Sequence, residues 1–400
     1  MLVVVFVVAG CAAASRQPGA DHPAARRATV AATPLHIGAA TACGDVVATT
    51  LRAIARRIYA QAAHGANVQA SLRRLHRSTA LAAAVRRGDA AATRAAVIPL
   101  LKHQIHRIII TRGSRVLATI HGAPALAPVH GILRDAAGVP VGRFVLAVSN
   151  QTAIARITQT LTGAPVTLSS SSAPAPAGTG GARIVSYSGT AFPRGRLRVR
   201  LAIGAQALQR CGPTARATVA ATVGAIGERL AHAESSGSAV VRVLQHVATD
   251  PGFRAAVASD DPAALRTAIV RFFRTRSLHV VRIRATTADG RLVGDVGGPY
   301  VLSPATTTVR DAHGRLLGQV TLSVQDDTGF IKLMHRFTGA AVILQTPAGT
   351  VPGSSLRPAP PAIPARGTLT ARGRLYDTYT FAARAFPDGP LSVALLLPRA

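Results

Sequence analysis

Tryptophan is absent from this 400-residue chain, and Phe and Tyr supply the whole 4% of aromatic residues. Stacking platforms of the kind that single-strand nucleic-acid binders use are therefore scarce. Lysine is almost missing as well: of 46 basic residues, all but Lys102 and Lys332 are arginine. Acidic residues number only 16, which leaves a formal charge of +30 and a pI near 11.9. Such an excess ordinarily points to nucleic acid or an anionic surface. Here the arginines are dispersed without forming blocks, and Ala, Gly, Val and Pro dominate the remainder, as a GC-rich genome dictates for all its proteins. Nucleic acid is not the expected partner.

Long hydrophobic runs are also lacking, since no segment approaches the roughly 18–20 apolar residues that span a bilayer. No G-x-S-x-G elbow, H-E-x-x-H helix or phosphate-cradling glycine loop occurs. His103 and His106 are the nearest histidine pair, with His121 and His130 further on, and no short spacing brings three or four ligands together. The sequence therefore predicts no catalytic site, no cofactor and no metal. What it does hold is 48% hydrophobic residues, enough for packed cores, in a length that suits two or three domains.

Cysteine occurs three times, at Cys11, Cys43 and Cys211. Leu2 to Ala9 form an apolar run that leads into Val8-Ala9-Gly10-Cys11, which resembles the lipobox of a bacterial lipoprotein signal peptide. In that motif small residues expose the bond before a cysteine that carries the lipid. The basic opening of a signal peptide is missing, as expected if residues 1–11 are only part of one. Residues 12–42, with Ser15, Pro18, Gly19, Pro23 and Pro34, have the composition of a flexible tether. An extracytoplasmic protein held to the outer face of the cell membrane by Cys11 is the expectation.

An internal repeat is the most informative feature. Arg134 to Val148 lies against Arg310 to Val324 with seven of fifteen positions identical. Thr162 to Leu168 matches Thr338 to Leu344, and Ala191-Phe192-Pro193 matches Ala385-Phe386-Pro387. Cys43-Gly44 pairs with Cys211-Gly212, and the Ala-Ala-Val ending at Val85 pairs with the one ending at Val257. The order of blocks predicts two equivalent domains, 43–203 and 204–400. In the first, Val47, Leu51, Ile54 and Ile58 recur at 4-3-4 spacing in a proline-free stretch to Arg77, which predicts one long helix; Val219, Val223, Ile226 and Leu230 repeat the seam. These seams are candidates for mutual packing of the long helices, or for a homodimer through them. A shorter helix follows in each copy, Asp89 to Leu101 and Pro262 to Arg274, the latter with Asp261 as N-cap. Strands dominate thereafter: His106 to Thr111, His279 to Thr286, and a hairpin through Asp289-Gly290 into Leu292 to Val296. An alternating strand, a short helix and two further strands close each copy, so an α+β fold is expected.

The turn and strand Asp311-Ala-His-Gly314, Leu317-Gly318-Gln-Val320 reads D-x-x-G-x-x-x-G-x-V, with Asp135, Gly138, Gly142 and Val145 as its first-copy counterpart. With the order long helix, hairpin, loop-rich excursion and antiparallel finish, the chain resembles the extracellular PAS-like sensor domains called Cache domains, over about 43–203 and 211–398. The resemblance implies tandem modules, each a long N-terminal helix on a mostly antiparallel sheet, and a ligand cavity against that sheet. The aromatic and acidic motif by which some members bind amino acids is not present. With the chain ending just after its last strand, a separate membrane signalling protein is the expected receiver of any signal.

In Val280-Val-Arg-Ile-Arg284, alternation puts Arg282 and Arg284 on one face and Val281 and Ile283 on the other. With a helix over the valine face, both guanidiniums turn to the cavity, where two planar forks suit a carboxylate, sulfonate or phosphate. Asp295 and Tyr300 are placed to orient them or to line the site. The first copy has Ile109 and Thr111 at the matching positions. Cys43 and Cys211, ahead of the two long helices, are either a disulfide, worth about 4–5 kcal/mol by loop closure, or two thiols inherited by duplication. A small-molecule binding or sensing lipoprotein is thus the first reading. The second is an interaction protein with degenerate pockets that holds anionic cell-wall polymer.

Overall fold

The computed structural model describes residues 42–101, 105–170, 182–275, 278–298 and 302–399 as an α+β protein of antiparallel sheets. The signal peptide with Cys11, all of the tether but Ala42, His103 and Tyr300 lie outside the described residues. Two compact units divide the chain between Thr218 and Val219.

The unit ending at Thr218 opens with four helices, α1 (Cys43–His64), α2 (Ala66–Arg77), α3 (Thr79–Arg87) and α4 (Ala90–Leu101). Strands β1 (Arg107–Arg112), β2 (Arg115–Ile120), β3 (Ala125–Leu126), β4 (Val129–Arg134), β5 (Pro140–Ala147) and β6 (Ser149–Asn150) follow. Helix α5 (Gln151–Thr162), strands β7 (Val166–Ser170), β8 (Arg183–Ala191) and β9 (Gly195–Ile203), and one turn of helix, α6 (Ala205–Leu208), complete it. The second unit carries α7 (Ala215–Ser236, begun before the division), α8 (Ser238–Thr249), α9 (Pro251–Ala258) and α10 (Pro262–Arg274). Its strands are β10 (Arg282–Thr287), β11 (Leu292–Gly297), β12 (Ala305–Arg310) and β13 (Leu316–Ser323), then, after α11 (Asp327–Thr338), β14 (Ala341–Thr346), β15 (Gly349–Thr350), β16 (Arg366–Ala371), β17 (Arg374–Ala385) and β18 (Gly389–Pro398).

The expected single helix from Cys43 to Arg77 is broken at Gly65, which caps α1 with an extended ψ of 172°. A Cβ there would stand 2.4 Å from the Gln61 carbonyl oxygen, so glycine permits the sharp exit. Gly237 ends α7 in the same way, with its Cβ position 2.4 Å from the Ala233 oxygen. Helix α10 starts as expected: Asp261 Oδ1 accepts from the amides of Ala263 and Ala264 at 2.9 and 3.0 Å.

Each unit contains two sheets where the sequence predicts one. The four-stranded sheets run β2-β1-β5-β4 and β11-β10-β13-β12, with irregularities at matching places, Ile110/Thr111 and Ala285/Thr286, then Leu133/Arg134 and Val309/Arg310. One face of each is buried under short helices rather than the long one. Beneath α8, α9 and α10 lie Ile283, Ala285, Val320 and Leu322, all fully buried, with Phe253 and Phe272 from the helices. Each of these side chains other than Ala285 contributes roughly 1.5–3 kcal/mol. The glycines of the repeated motif explain this packing. Gly138 and Gly314 take φ of 80° and 82° in the turn, where Asp135 and Asp311 each accept two backbone amides. Gly142 and Gly318 instead let a helix come close, since a Cβ would stand 2.6 Å from Val85 Cγ1 in one unit and 3.0 Å from Val257 Cγ1 in the other. Register also corrects one counterpart: Ile110 pairs with Phe144 as Ala285 pairs with Val320, so Phe144 and not Val145 takes the place of Val320.

The long helices back the five-stranded sheets, ordered β6-β3-β8-β9-β7 and β15-β14-β18-β17-β16. Helix α1 packs on β8 and α5, and Val47, Leu51, Ile54 and Ile58 are at most 2% exposed. In the second unit Gly224 faces the Tyr379 ring, and Gly227 faces Leu395, Phe381 and Met334. The seam residues Val219, Val223, Ile226 and Leu230 of α7 are buried as well, at most 7% exposed.

Candidate functional site

Strand β10 brings the predicted arginines together with Asp295. Arg284 and Asp295 are directly paired residues of β10 and β11, and Arg284 is likewise paired with Thr321 of β13, which pairs with Thr306 of β12. Paired residues of antiparallel strands project to one face, so Asp295, Arg284, Thr321 and Thr306 form a polar row across the whole sheet. Ile283 and Ala285 point the other way, into the core.

The two arginines are not equivalent. Arg282 Nε and one Nη donate to the two oxygens of Asp295 at 2.8 and 2.7 Å, a bidentate ion pair. Its guanidinium also lies 4.5 Å from the centre of the Phe386 ring, beyond the end of β17, and so ties the four-stranded sheet to the turn before β18. Among the described residues Arg284 has one ionic contact, 3.9 Å to Asp295 Oδ2, and it keeps a third of its side-chain surface exposed. Beside it the hydroxyls of Thr306 and Thr321 bond to one another at 3.0 Å. Two guanidiniums against one carboxylate leave a single net positive charge, and Arg284 is the more distant of the two from that carboxylate.

Strand register changes the comparison with the first unit. Arg107 pairs with Ala147 as Arg282 pairs with Ser323, so the counterparts of Arg282 and Arg284 are Arg107 and Ile109, not Ile109 and Thr111. Arg107 stacks on Phe192 at 5.1 Å and bonds to His121 Nδ1 at 3.2 Å. The stacked arginine and the Phe-Pro pair under it thus occur in both units, a contact the sequence reading missed. The repeated Phe-Pro blocks were its only signal. The row that contains Arg284 becomes Thr119, Ile109, Val145 and His130 in the first unit, where Ile109 and Val145 pack beside Ala125, Ala147 and Phe192.

Cys43 and Cys211 form a disulfide with Cα atoms 5.6 Å apart. Among the described residues no group of three His, Cys, Asp or Glu is placed to hold a metal ion, and no helix is long and apolar enough to cross a membrane. A shallow depression of about 410 Å³ between α5 and β7 of the first unit is edged by Gln151, Arg156, Gln159 and Leu168. The chain matches no model of a known protein family and no curated protein sequence.

Proposed function

We propose that the chain is a non-catalytic binding protein of the cell exterior, anchored by a lipid on Cys11, in which two PAS-like modules stand in tandem and the second takes a small anion at Arg284. A membrane protein that senses the loaded state is the partner this reading calls for. Tandem duplication is supported by the matching strand order, matching irregularities and the shared Gly65 and Gly237 breaks. The observation that carries the ligand class is the division of labour in the row: Arg282 binds Asp295 through both its oxygens, while Arg284 reaches it only at 3.9 Å, a third exposed and beside two hydroxyls. A planar guanidinium fork with adjacent hydroxyl donors suits a carboxylate or phosphate.

Thermal unfolding of the full chain against a panel of small carboxylates, sulfonates and phosphates tests this. An anion at 100 times its dissociation constant adds about 2.7 kcal/mol of stability. In Arg284→Gln that gain disappears, while unfolding without ligand shifts by less than about 0.5 kcal/mol. Arg282→Gln behaves oppositely, losing roughly 1–3 kcal/mol because Asp295 is left without its partner. A panel that moves nothing in the parent protein refutes the ligand reading.

A further inference from the structure

We infer that the exposed face of β9 in the first unit is a docking surface for a linear, phosphate-bearing polyanion. This surface shares no residue with the Arg284 site.

The charge of the chain is unevenly divided. Between Ile37 and Thr218 there are 23 Lys and Arg against three acids, a formal +20, whereas Val219 to Ala400 has 20 against 12, a formal +8. All three acids of the first unit are already engaged: Asp45 with Arg183, Asp135 with Arg86 and the turn amides, and Asp89 with the amide of Ala92 at the start of α4. The excess positive charge therefore has no internal counterpart.

On β9 the pattern concentrates. Leu197, Val199 and Leu201 are buried against the unit's core, so the alternate residues Arg196, Arg198 and Arg200 share the opposite face. Arg200 is buried and engaged. Arg196 and Arg198 are exposed and make no ion pair or hydrogen bond among the described residues. Hydroxyls flank them in register: Thr190 is paired with Arg196, and Arg198 lies between Ser188 of β8 and Ser169 of β7. The Ser169 Oγ is buried and has no hydrogen-bond partner among the described residues.

Alternate side chains on a strand stand about 6.6 Å apart, so the two forks address successive anionic groups and not one. A tetrahedral phosphate offers oxygens both to a guanidinium fork and to a neighbouring hydroxyl. Tyr187, the aromatic residue of β8, is buried on the other side of the sheet, so bases would find no stacking platform here. The same face in the second unit has lost this character. There Ser392 and Ala394 stand where Arg198 and Arg200 stand in β9, and Ala394 and Leu396 form a small apolar core with Leu356, Ala359 and Ile363 of the preceding loop.

The test measures binding of the full chain to inorganic polyphosphate and to a poly(glycerol phosphate) chain over a range of salt. Arg196→Gln with Arg198→Gln should weaken both by at least about tenfold and make the slope of log K against log salt shallower by about 1.4, the loss expected for two phosphate contacts on a single strand. Arg242→Gln with Arg266→Gln removes the same charge from the exposed surface of the second unit and should change affinity less than about threefold. Arg196→Lys with Arg198→Lys keeps the charge without the fork and should fall between. Equal losses from the two glutamine pairs would show diffuse attraction and overturn the assignment. So would absence of binding, or tighter binding of single-stranded DNA of equal charge.

Discussion

At the scale of single residues the second unit holds a carboxyl in an unusual state. Glu234, near the end of α7, has no hydrogen bond or ion pair among the described residues, and burial pushes its pKa from 4.5 up to about 7. Desolvation favours the neutral form, so the folded protein holds this proton over a range in which the unfolded chain has released it. Below pH 4.5 both states are protonated and burial carries no charge penalty. As pH rises from 4.5 to 7 only the unfolded state ionises freely, and stability falls by at most about 3 kcal/mol before levelling off. Urea unfolding at pH 5 and pH 8 should therefore show the second unit weaker at the higher pH. Glu234→Gln should remove the Glu234 share of that difference and strengthen the protein at pH 8; a variant with the parent's pH slope would locate the effect elsewhere. The same reasoning separates Arg282 from Arg284: sequence alternation puts them on one face, but the ion pair to Asp295 and the stack on Phe386 come from distant segments and are invisible along the strand.

At the scale of elements, the seat of α7 on its sheet depends on a missing side chain. A Cβ on Gly224 would stand 2.2 Å from Tyr379 Cδ1, with two more ring atoms at 2.3 Å. The ring has little room to yield, because its hydroxyl donates to Glu228 Oε1 at 2.8 Å and Arg366 lies over its face. Alanine gains up to about 1 kcal/mol in helix propensity, yet overpacking of this kind costs about 1–3 kcal/mol, so Gly224→Ala is expected to lower the melting point. Gly204→Ala, with no atom within 4 Å of its Cβ position, should leave it within about 0.5 kcal/mol of the parent. Helices and strands were legible in the sequence wherever the signal was local: the 4-3-4 seams, the Asp261 cap and the D-x-x-G turn all occur as read. Two features were not. Gly65 looks like a tolerated glycine inside a helix, because the oxygen its Cβ would strike is set by backbone geometry. The second sheet of each unit was missed because a seam of buried residues announces that a helix is covered without saying by which strands. The hydroxyl register around Arg198 was likewise hidden, since it depends on β7 and β8 being paired on either side of β9.

At the scale of the whole molecule, the disulfide belongs to one unit only. Cys43 and Cys211 are 168 residues apart in sequence and both precede Thr218, so the bond closes nearly all of the first unit into a loop and leaves the second unconstrained. In the chain-entropy account, closing a loop of that length takes freedom from the unfolded state worth about 5 kcal/mol. Two compact units with separate cores are expected to unfold in separate steps, so one two-state transition is not the right description. Calorimetry of the full chain should then resolve two transitions, and adding reductant should move one down by many degrees while the other stays in place. Cys43→Ala with Cys211→Ala should reproduce the reduced trace without reductant. The phosphate polymer and the small anion supply the complementary labels: polyphosphate should raise the reductant-sensitive transition, and an anion held at Arg284 the insensitive one. If reduction shifts both transitions together, the division at Thr218 and Val219 is not an energetic one, and the two proposed binding surfaces would have to be treated as parts of one cooperative body.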